Sequence, residues 1–575
     1  MTSPKSNVPA LLGPNGAPLP VGAGDFARFL ANGGGQHIAR ARASLNGSAP
    51  EFFPYDAAQW TSPEFGDWLP WVRSPDTEIN LHRDRMVARN RDVFRNDGLT
   101  SGGINLILDS TIGGDYQLVA EPDFEYLRLF ARGFDDQWAE KFQDVIQAKW
   151  RNFADDEGRW CDVSGMMTIT QMFRVALKHK LFDGESLILP FWLPERVGYG
   201  EASYSIAFQG VDPDRLSNPF QMVDTKHRRG GVQVDDNGRP LGYHIRKAHQ
   251  NDWYNAVESV EWEYVPRYDP DGFRRVIHDH DADRFQQHRG VSILTPILAR
   301  LKMLATYYGV KLQRATVMSV LGTYITSPLD QAMVEAALSG EGEGAGDGGL
   351  GFYQTLREGF HQKHALHLNN VRIPTLAPGE DIKSVSADGV EGDFSPFANE
   401  MKRTVAACLG MTASQFSRDY SDTNYSSERA GIAEAEKTYD RRCADFEKNT
   451  ATPVYSAWLM EAIQDPEVRE IMPRNAPDFL EARNAYSACY WIGAASGWTD
   501  PVAERQGEIL GLDAGFSNLE RVCAKQGSNW KTNLRKRARE RRMMDELDLP
   551  HPQWMGEAMT VAETATKQTV KPKAA

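Results

Sequence analysis

The run Ile277-His278-Asp279-His280-Asp281-Ala282-Asp283 concentrates more ligand-type side chains than any other stretch of the sequence. On a strand, successive side chains alternate between faces, so His278 and His280 share one face and the acids take the other. Two adjacent imidazoles can start a metal site, but the third and fourth ligands and their outer partners are not supplied by any nearby spacing. No metal is expected. The run Ser339 to Gly351, SGEGEGAGDGGLG, contains Gly-x-Gly spacing. It lacks the Gly-Lys-Ser/Thr that grips a triphosphate, and its acids repel one, so neither a nucleotide cofactor nor a motor ATPase is read here. The chain has no Gly-x-Ser-x-Gly elbow, no His-Glu-x-x-His and no cysteine with an identifiable histidine partner. Cys161, Cys408, Cys443, Cys489 and Cys523 are dispersed singly, which predicts reduced thiols and no zinc ribbon or disulfide framework. No catalytic site and no cofactor are expected.

The other chemistry on offer is cationic. Within KTNLRKRARERRMMDEL, the residues Lys531, Arg535, Lys536, Arg537, Arg539, Arg541 and Arg542 form the most basic window of the chain. As a helix it suits contact with nucleic acid, a solvated surface helix being the competing reading. A second stripe, Arg83, Arg85, Arg89, Arg91 and Arg95, recurs beside Val87, Val93 and Phe94 and places charge along one side of a helix, either solvated or facing a partner. Against both stands a formal net charge of −14 and a pI near 5.5. Phosphate affinity comes from cations displacing counterions, so the surface as a whole is not devoted to binding phosphates, and any such contact is local.

The elements that position these groups follow from texture. The chain has 575 residues, 25% charged and 41% hydrophobic, a globular composition long enough for several domains. No window approaches the roughly 18–20 apolar residues of a membrane span, and the first 32 residues lack the basic start and apolar core of a secretory signal, so assembly in the cytoplasm is expected. Residues 1–75 read as an arm, first rich in Pro and Gly, then carrying Phe52, Phe53, Trp60, Trp68 and Trp71. Ile104 to Leu108 and the run Trp138 to Phe153 predict core helices. Between about 185 and 285, short apolar runs and turn formers such as Asp235-Asp236-Asn237-Gly238 predict strands and hairpins. Behind Thr295-Pro296, apolar residues three or four apart predict a helix from Pro296 to Val317, on the order of 33 Å long. A mostly helical remainder runs from about Ser426 to Leu547, and the tail after Thr560 is polar.

The segment Ala406-Ala407-Cys408-Leu409-Gly410-Met411-Thr412-Ala413-Ser414-Gln415-Phe416-Ser417-Arg418-Asp419-Tyr420-Ser421, followed by Asn424-Tyr425-Ser426-Ser427-Glu428-Arg429-Ala430, resembles the signature of tailed-bacteriophage portal proteins of the phage lambda type. A Leu-Gly helix end leads through a Ser-Arg-x-Tyr loop to a Tyr-Ser-Ser-x-Arg-Ala helix start. Other pieces agree in order: Leu11 to Pro14, Asn96-Asp97-Gly98, Arg289-Gly290, Pro374 to Gly379, Cys489 to Gly493, and Cys523 to Gly527. The resemblance spans about residues 10 to 555.

The resemblance implies an α+β, mostly helical portal fold, assembled as a homo-oligomeric ring, usually a dodecamer, at a unique capsid vertex of the virion. Double-stranded DNA is packaged through that ring by the terminase large subunit and later ejected, with a head-tail connector, the major capsid protein and scaffolding proteins as further partners. Mapped by order, residues 1–75 are the arm, 76–289 and 429–500 the wing, 290–318 and 394–412 the two stem helices, and 319–393 the clip. Residues 413–428 become the tunnel loop, 501–555 the crown and 556–575 the tail. The implied DNA-contacting residues are Ser417, Arg418, Tyr420, Ser421, Thr423 and Asn424 in the loop, with Asp419 and Asp422 weakening any grip, and the basic residues of 531–542 in the crown. The glycine-acid run 339–351 departs from the family pattern. Two other readings are a metal-dependent nuclease built on His278 and His280, and a basic-tailed scaffolding or adaptor protein.

Overall fold

The computed structural model describes Trp68, residues 70–321, 366–368, 371–373, 394–421, 424–495 and 501–549. Contacts divide the chain into Met1–Arg73, of which only Trp68 and the residues from Pro70 are described, and Ser74–Ala575. The second unit opens with helices α1 (Pro75–Asn80), α2 (Arg83–Asn96) and α3 (Gly98–Thr111), followed by strand β1 (Gln117–Ala120), α4 (Asp136–Ala154) and α5 (Ile169–Phe182). Helix α5 starts at a capping box, Thr168 with Gln171, and α4 at the Asp135 side chain, so local sequence sets both N-termini.

Strands then dominate, as expected: β2 (Glu185–Trp192), β3 (Ile206–Val211), β4 (Arg228–Arg229), β5 (Val232–Val234), β6 (Pro240–Arg246), β7 (Trp262–Pro266) and β8 (Ile277–His280). They form an antiparallel three-stranded sheet in the order β3-β2-β8 and a four-stranded one in the order β4-β5-β6-β7. Strand β2 is central and buried over most of its length, which is why Ser186-Leu187-Ile188-Leu189-Pro190 reads as a nearly continuous apolar run. Ile188 faces the large helical core, whereas Leu187 and Leu189 face a smaller core with Val232, Tyr243 and Ile245 of the second sheet. The large core is strongly aromatic: Trp150, Phe153, Tyr204, Tyr455, Trp458 and Trp491 pack mostly edge to face.

Then come α6 (Leu298–Leu321), entered through a 3-10 turn at Thr295–Ile297, and the short antiparallel strands β9 (Leu366–Leu368) and β10 (Val371–Ile373). They are followed by α7 (Phe394–Leu409), α8 (Ala413–Ser417), α9 (Tyr425–Phe446), a π-turn at Glu447–Ala451, α10 (Thr452–Ala462) and α11 (Pro466–Ile471). Strand β11 (Cys489–Ile492) and helices α12 (Pro501–Asp513), α13 (Leu519–Lys525) and α14 (Trp530–Glu546) complete the described order. As the texture after Ser426 predicts, this remainder is mostly helical, with β11 the one strand among its described residues. Strand β11 pairs antiparallel with β1, Gln117 opposite Ile492 and Ala120 opposite Cys489, a partner far away in sequence that local texture does not disclose. The glycine-acid run 339–351 lies outside the described residues.

A buried ionic cluster joins these layers. Glu185, fully buried at the start of β2, accepts from Arg289 through Nε at 3.0 Å and Nη2 at 2.5 Å, from Arg83 at 2.7 Å, and from the Gly290 backbone N–H at 3.1 Å. Burial alone would raise its pKa, but the Arg289 and Arg83 guanidiniums hold the carboxyl well below the usual carboxylate range. Arg289 also donates to the carbonyls of Leu216, Gly230 and Pro213, tying the smaller core's loops to the approach to α6. The backbones meet closely here. A Cβ on Gly290 would stand 1.9 Å from the Gly184 carbonyl oxygen, so only glycine fits.

Two further devices hold the frame. Lys180 on α5 pairs with Asp279 and Asp281, both at 2.9 Å, and Asp279 accepts from Thr450 in the π-turn, also at 2.9 Å. Asp76 on α1 accepts from His288 through its backbone N–H at 3.0 Å and Nδ1 at 2.9 Å, while His288 Nε2 reaches the Gly238 carbonyl at 2.8 Å. With acceptors at both ring nitrogens, His288 is bound as imidazolium. Burial works against that charge, but the bonds to Asp76 and Gly238 outweigh it and raise its pKa. Burial also opposes the Asp76 anion, and the bonds from His288 override it and lower its pKa.

Replacing Glu185 by Gln leaves two guanidiniums buried without a counter-charge and costs roughly 3–5 kcal/mol. Denaturant titration of wild type and Glu185→Gln checks this, and a loss below about 1 kcal/mol would contradict it. For the second device, the His288 contribution is complete below its ordinary value of 6.5 and fades as pH rises through the raised folded value. The Asp76 contribution is complete above 3.8 and fades as pH falls through the lowered folded value. The Tm difference between wild type and His288→Gln is therefore expected to be largest between those limits and to shrink at alkaline pH; a difference that grows there would contradict the assignment.

Candidate DNA-facing loop and basic helix

Helix α6 has 24 residues, about 36 Å at 1.5 Å per residue, and begins where the Thr295-Pro296 signal places it. It packs antiparallel against α7: Tyr307 meets Phe397 edge to face at 5.1 Å, and the Cys408 thiol lies 3.8 Å from the Ile293 carbonyl. Leu301 and Leu304 of α6 and Val405, Ala406 and Leu409 of α7 are buried where the pair joins the frame.

The segment joining α7 to α9, expected to be a loop over 413–428, differs in its first part. That part is a helix, because Thr412 and Gln415 form a reciprocal capping box, 3.1 Å from the Gln415 N–H to the Thr412 hydroxyl and 3.0 Å back. The spacing Thr-x-x-Gln is a signal the sequence does contain. Phe416 is only 3% exposed and lies against α3 so tightly that a Cβ on Gly103 would be 3.1 Å from its ring. The Ser414 hydroxyl donates to Glu428 on α9 at 2.5 Å, and the Thr412 hydroxyl donates to the same oxygen at 3.3 Å. Glu428 and Phe416 thus clamp both ends of a short excursion. Neither is assigned a role by sequence reasoning, although both stand in the signature segment.

Within that excursion, Arg418 ends α8 in the left-handed region, φ 57°, with its side chain exposed and without a hydrogen-bond or ion-pair partner among the described residues. The Ser417 hydroxyl donates back to the Ala413 carbonyl at 2.8 Å. The Ser421 hydroxyl and N–H both donate to Asp419, at 2.6 and 3.1 Å, and these bonds hold the exposed Asp419 carboxyl below its ordinary value. Both hydroxyl protons are therefore committed to the turn. Tyr420 is half exposed, and Asn424 is the exposed N-cap residue of α9. Thr423 and Asp422 lie outside the described residues.

The basic window forms α14, capped by the Asn529 side chain. Lys531 Nζ donates to Gln143 on α4 at 2.5 Å and Arg535 to Asp144 at 2.6 Å, so two of the seven expected cations are engaged with the helical frame. Lys536, Arg539, Arg541 and Arg542 are exposed and carry no ion pair among the described residues. Arg539 and Arg542 continue the helical row of Lys531 and Arg535.

The remaining sequence candidates resolve into structural roles. His278 and His280 share a face, stacked at 4.7 Å, but His278 Nε2 is 3.1 Å from Glu185 inside the buried cluster. Burial lowers its pKa to about 4, so it is a neutral donor to that carboxylate. The arginine stripe on α2 is divided. Arg83 is in the cluster, and Arg91 bonds Asp183 at 2.7 and 2.8 Å and reaches Asp212 and Asp214, while Arg85, Arg89 and Arg95 are exposed. The two groups whose ligand atoms converge, His179 with Asp183 and Asp212, and Asp212 with Asp214 and His249, already hold a cation in the Arg91 guanidinium. Among the described residues, no helix is long and apolar enough to cross a membrane.

Known proteins agree with the signature. The chain is 28% identical over 495 residues to Portal protein B of Escherichia phage lambda and, equally, to the portal protein of Escherichia phage N15, in each case over 85% of this chain and 90% of the relative. A probable portal protein of Halomonas phage phiHAP-1 is 21% identical, over 84% of this chain and 86% of its own. Among solved structures, a chain of the virion of a native gene transfer agent particle is 12% identical with a TM-score of 0.33, over 80% of this chain and 95% of that one. The family model for phage portal proteins of the lambda family matches residues 61–442. With well over half of its length so matched, the chain belongs to the lambda family of phage portal proteins.

Proposed function

We propose that copies of this chain close into a ring, a dodecamer, at a unique vertex of the virion, and that double-stranded DNA is packaged and later ejected through the central channel. The observation that carries the detail is the clamped excursion between α7 and α9. Glu428 and Phe416 fix its ends to rigid helices while Arg418 and Tyr420 project from it. A pore wall needs that combination, a rigid base and a tip with few, exchangeable phosphate contacts, since tight binding would stall the duplex. Asp419 moderates the charge of Arg418. Ser417 and Ser421, with their protons committed, offer lone pairs, so their part in contacting phosphate is smaller than that of Arg418 and Tyr420. Asn424, exposed at the start of α9, and Thr423 are the remaining contacts proposed for this segment.

In this reading α6 and α7 form the stem, and residues 319–393 between them form a clip that meets the terminase large subunit and later the head-tail connector. The major capsid protein and scaffolding proteins meet the wing. Helix α14 presents Lys536, Arg537, Arg539, Arg541 and Arg542 to packaged DNA, with Lys531 and Arg535 as its anchors. The chain is a conduit and carries out no catalysis of its own; hydrolysis belongs to the terminase.

Deleting 414–427 would remove Phe416 and Ser414 from the frame, so the cleaner test removes the tip alone. Replacing residues 418–423 by a short Gly-Ser bridge is expected to leave rings intact and to reduce DNA packaged per head severely; packaging at the wild-type rate would sink the loop assignment. A second test uses ring binding to duplex DNA as salt is raised. Replacing Arg539, Arg541 and Arg542 by Gln is expected to lower the slope of log K against log salt by up to about 0.9 for each phosphate that is no longer neutralised, with no change in ring size. An unaltered slope would remove α14 from the DNA surface.

A further inference from the structure

The three C-terminal helices have an unusual property: among the described residues from Val502 to Leu549, none is buried. They are nonetheless amphipathic. Ile509, Leu512, Leu519, Val522, Trp530 and Leu534 line an open groove of about 450 Å³ between α12, α13 and α14, which is a core built on one side only. At the turn linking α12 to α13, Phe516 projects away with 86% of its surface exposed. It does not line the groove. The same small subdomain therefore carries an aromatic knob and, elsewhere on its surface, a groove whose apolar floor is flanked by charged residues, among them Arg505, Glu508, Lys536 and Arg537.

We propose that Phe516 of one copy of this chain seats in the α12–α13–α14 groove of the next copy, so that the C-terminal helices complete their core only on assembly. This inference rests on the ring reading above. A knob and a hole at different places on one chain make a head-to-tail contact, which propagates around a ring when the rotation closes. Charge supports the same partner. Helix α12 carries Glu504, Glu508 and Asp513 against Arg505, whereas α14 carries seven Lys and Arg against Glu540, Asp545 and Glu546. Asp513, three residues before Phe516, would travel with the knob toward Lys536 and Arg537 on the α14 wall of the groove, a match of opposite charges that a second copy offers and DNA does not. Within one copy, the helices are held to the frame mainly by polar contacts: Tyr490 to Glu520 at 2.5 Å, Arg535 to Asp144 at 2.6 Å and Arg429 to Glu504 at 3.6 Å. The two ion pairs among these contacts are largely exposed, so they add little stability and weaken with salt.

The test is hydrogen exchange on the full-length chain, as monomer and as purified ring, for wild type and Phe516→Asp. Amides of residues 519–525 and 530–546 are expected to be protected in wild-type rings, and to exchange about tenfold faster in Phe516→Asp rings, with α6 and α7 unaffected. Equal protection in Phe516→Asp rings overturns the inference while leaving the ring intact. Protection gained only on adding duplex DNA overturns it in favour of DNA as the occupant. Absence of rings from the wild-type chain at every salt and concentration overturns the ring reading and this inference together. As an independent measure, oxidised rings of a Phe516→Cys, Leu534→Cys double variant should yield a ladder of covalent multimers that neither single variant gives; monomers alone would contradict the contact.

Discussion

The frame depends on a carboxylate that cannot reach water. Glu185 begins the central strand, and around it converge a guanidinium from the second helix, a guanidinium from the approach to the long helix, an imidazole from the neighbouring strand and a backbone N–H. A buried pair is weak support for stability in itself, since desolvation consumes much of the attraction. What it fixes is geometry. Arg289 can satisfy Glu185 and the carbonyls of Leu216, Gly230 and Pro213 only if both sheets and the residues before the long helix adopt one relative placement. The near contact of Gly184 with Gly290 permits no slack in that placement. A helix about 36 Å long amplifies any angular error at its base, so a rigid origin is what the stem role proposed for it would require.

From this origin outward, packing changes character. The centre is aromatic and tightly interlocked, with Trp458, Tyr455 and Phe208 fully buried. Between α7 and α9, Met411, Ser414 and Phe416 are buried and no described residue from Ser417 to Asn424 is, while the C-terminal helices retain none among the described residues. Local opening free energy follows buried apolar contact, so mobility should rise in the same order. On the proposed reading that gradient suits a conduit: a stiff body, a shallow tip to meet a moving polyanion, and an end left for neighbouring copies to complete.

Much of this is legible in the sequence, and the illegible part has a common cause. The start of the long helix at Thr295-Pro296, the hairpins between 185 and 285 and the basic helix beginning near residue 530 are signalled by capping, turn chemistry and apolar period, all local properties. Alternation places His278 and His280 on one face correctly, but their purpose rests on Glu185, 93 residues away. The arginine stripe looks uniform, yet Arg83 and Arg91 find acids more than 90 residues distant and turn inward. Strand β11 is a short aromatic run, Cys489-Tyr490-Trp491-Ile492, whose pairing partner Gln117–Ala120 is far upstream and not disclosed locally. At the tip, the residue types are legible and their commitments are not: the Ser417 proton goes to the Ala413 carbonyl and the Ser421 proton to the Asp419 carboxylate.

The central claim is that this chain forms a channel whose wall includes the Arg418 tip. Electron microscopy of the purified full-length protein, with native mass determination on the same sample, tests it most directly. The account predicts rings of twelve copies around an open hole wide enough for duplex DNA, with density for Arg418 and Tyr420 facing that hole. A closed particle without a channel, or rings in which residues 418–421 lie on the outer circumference, would contradict it.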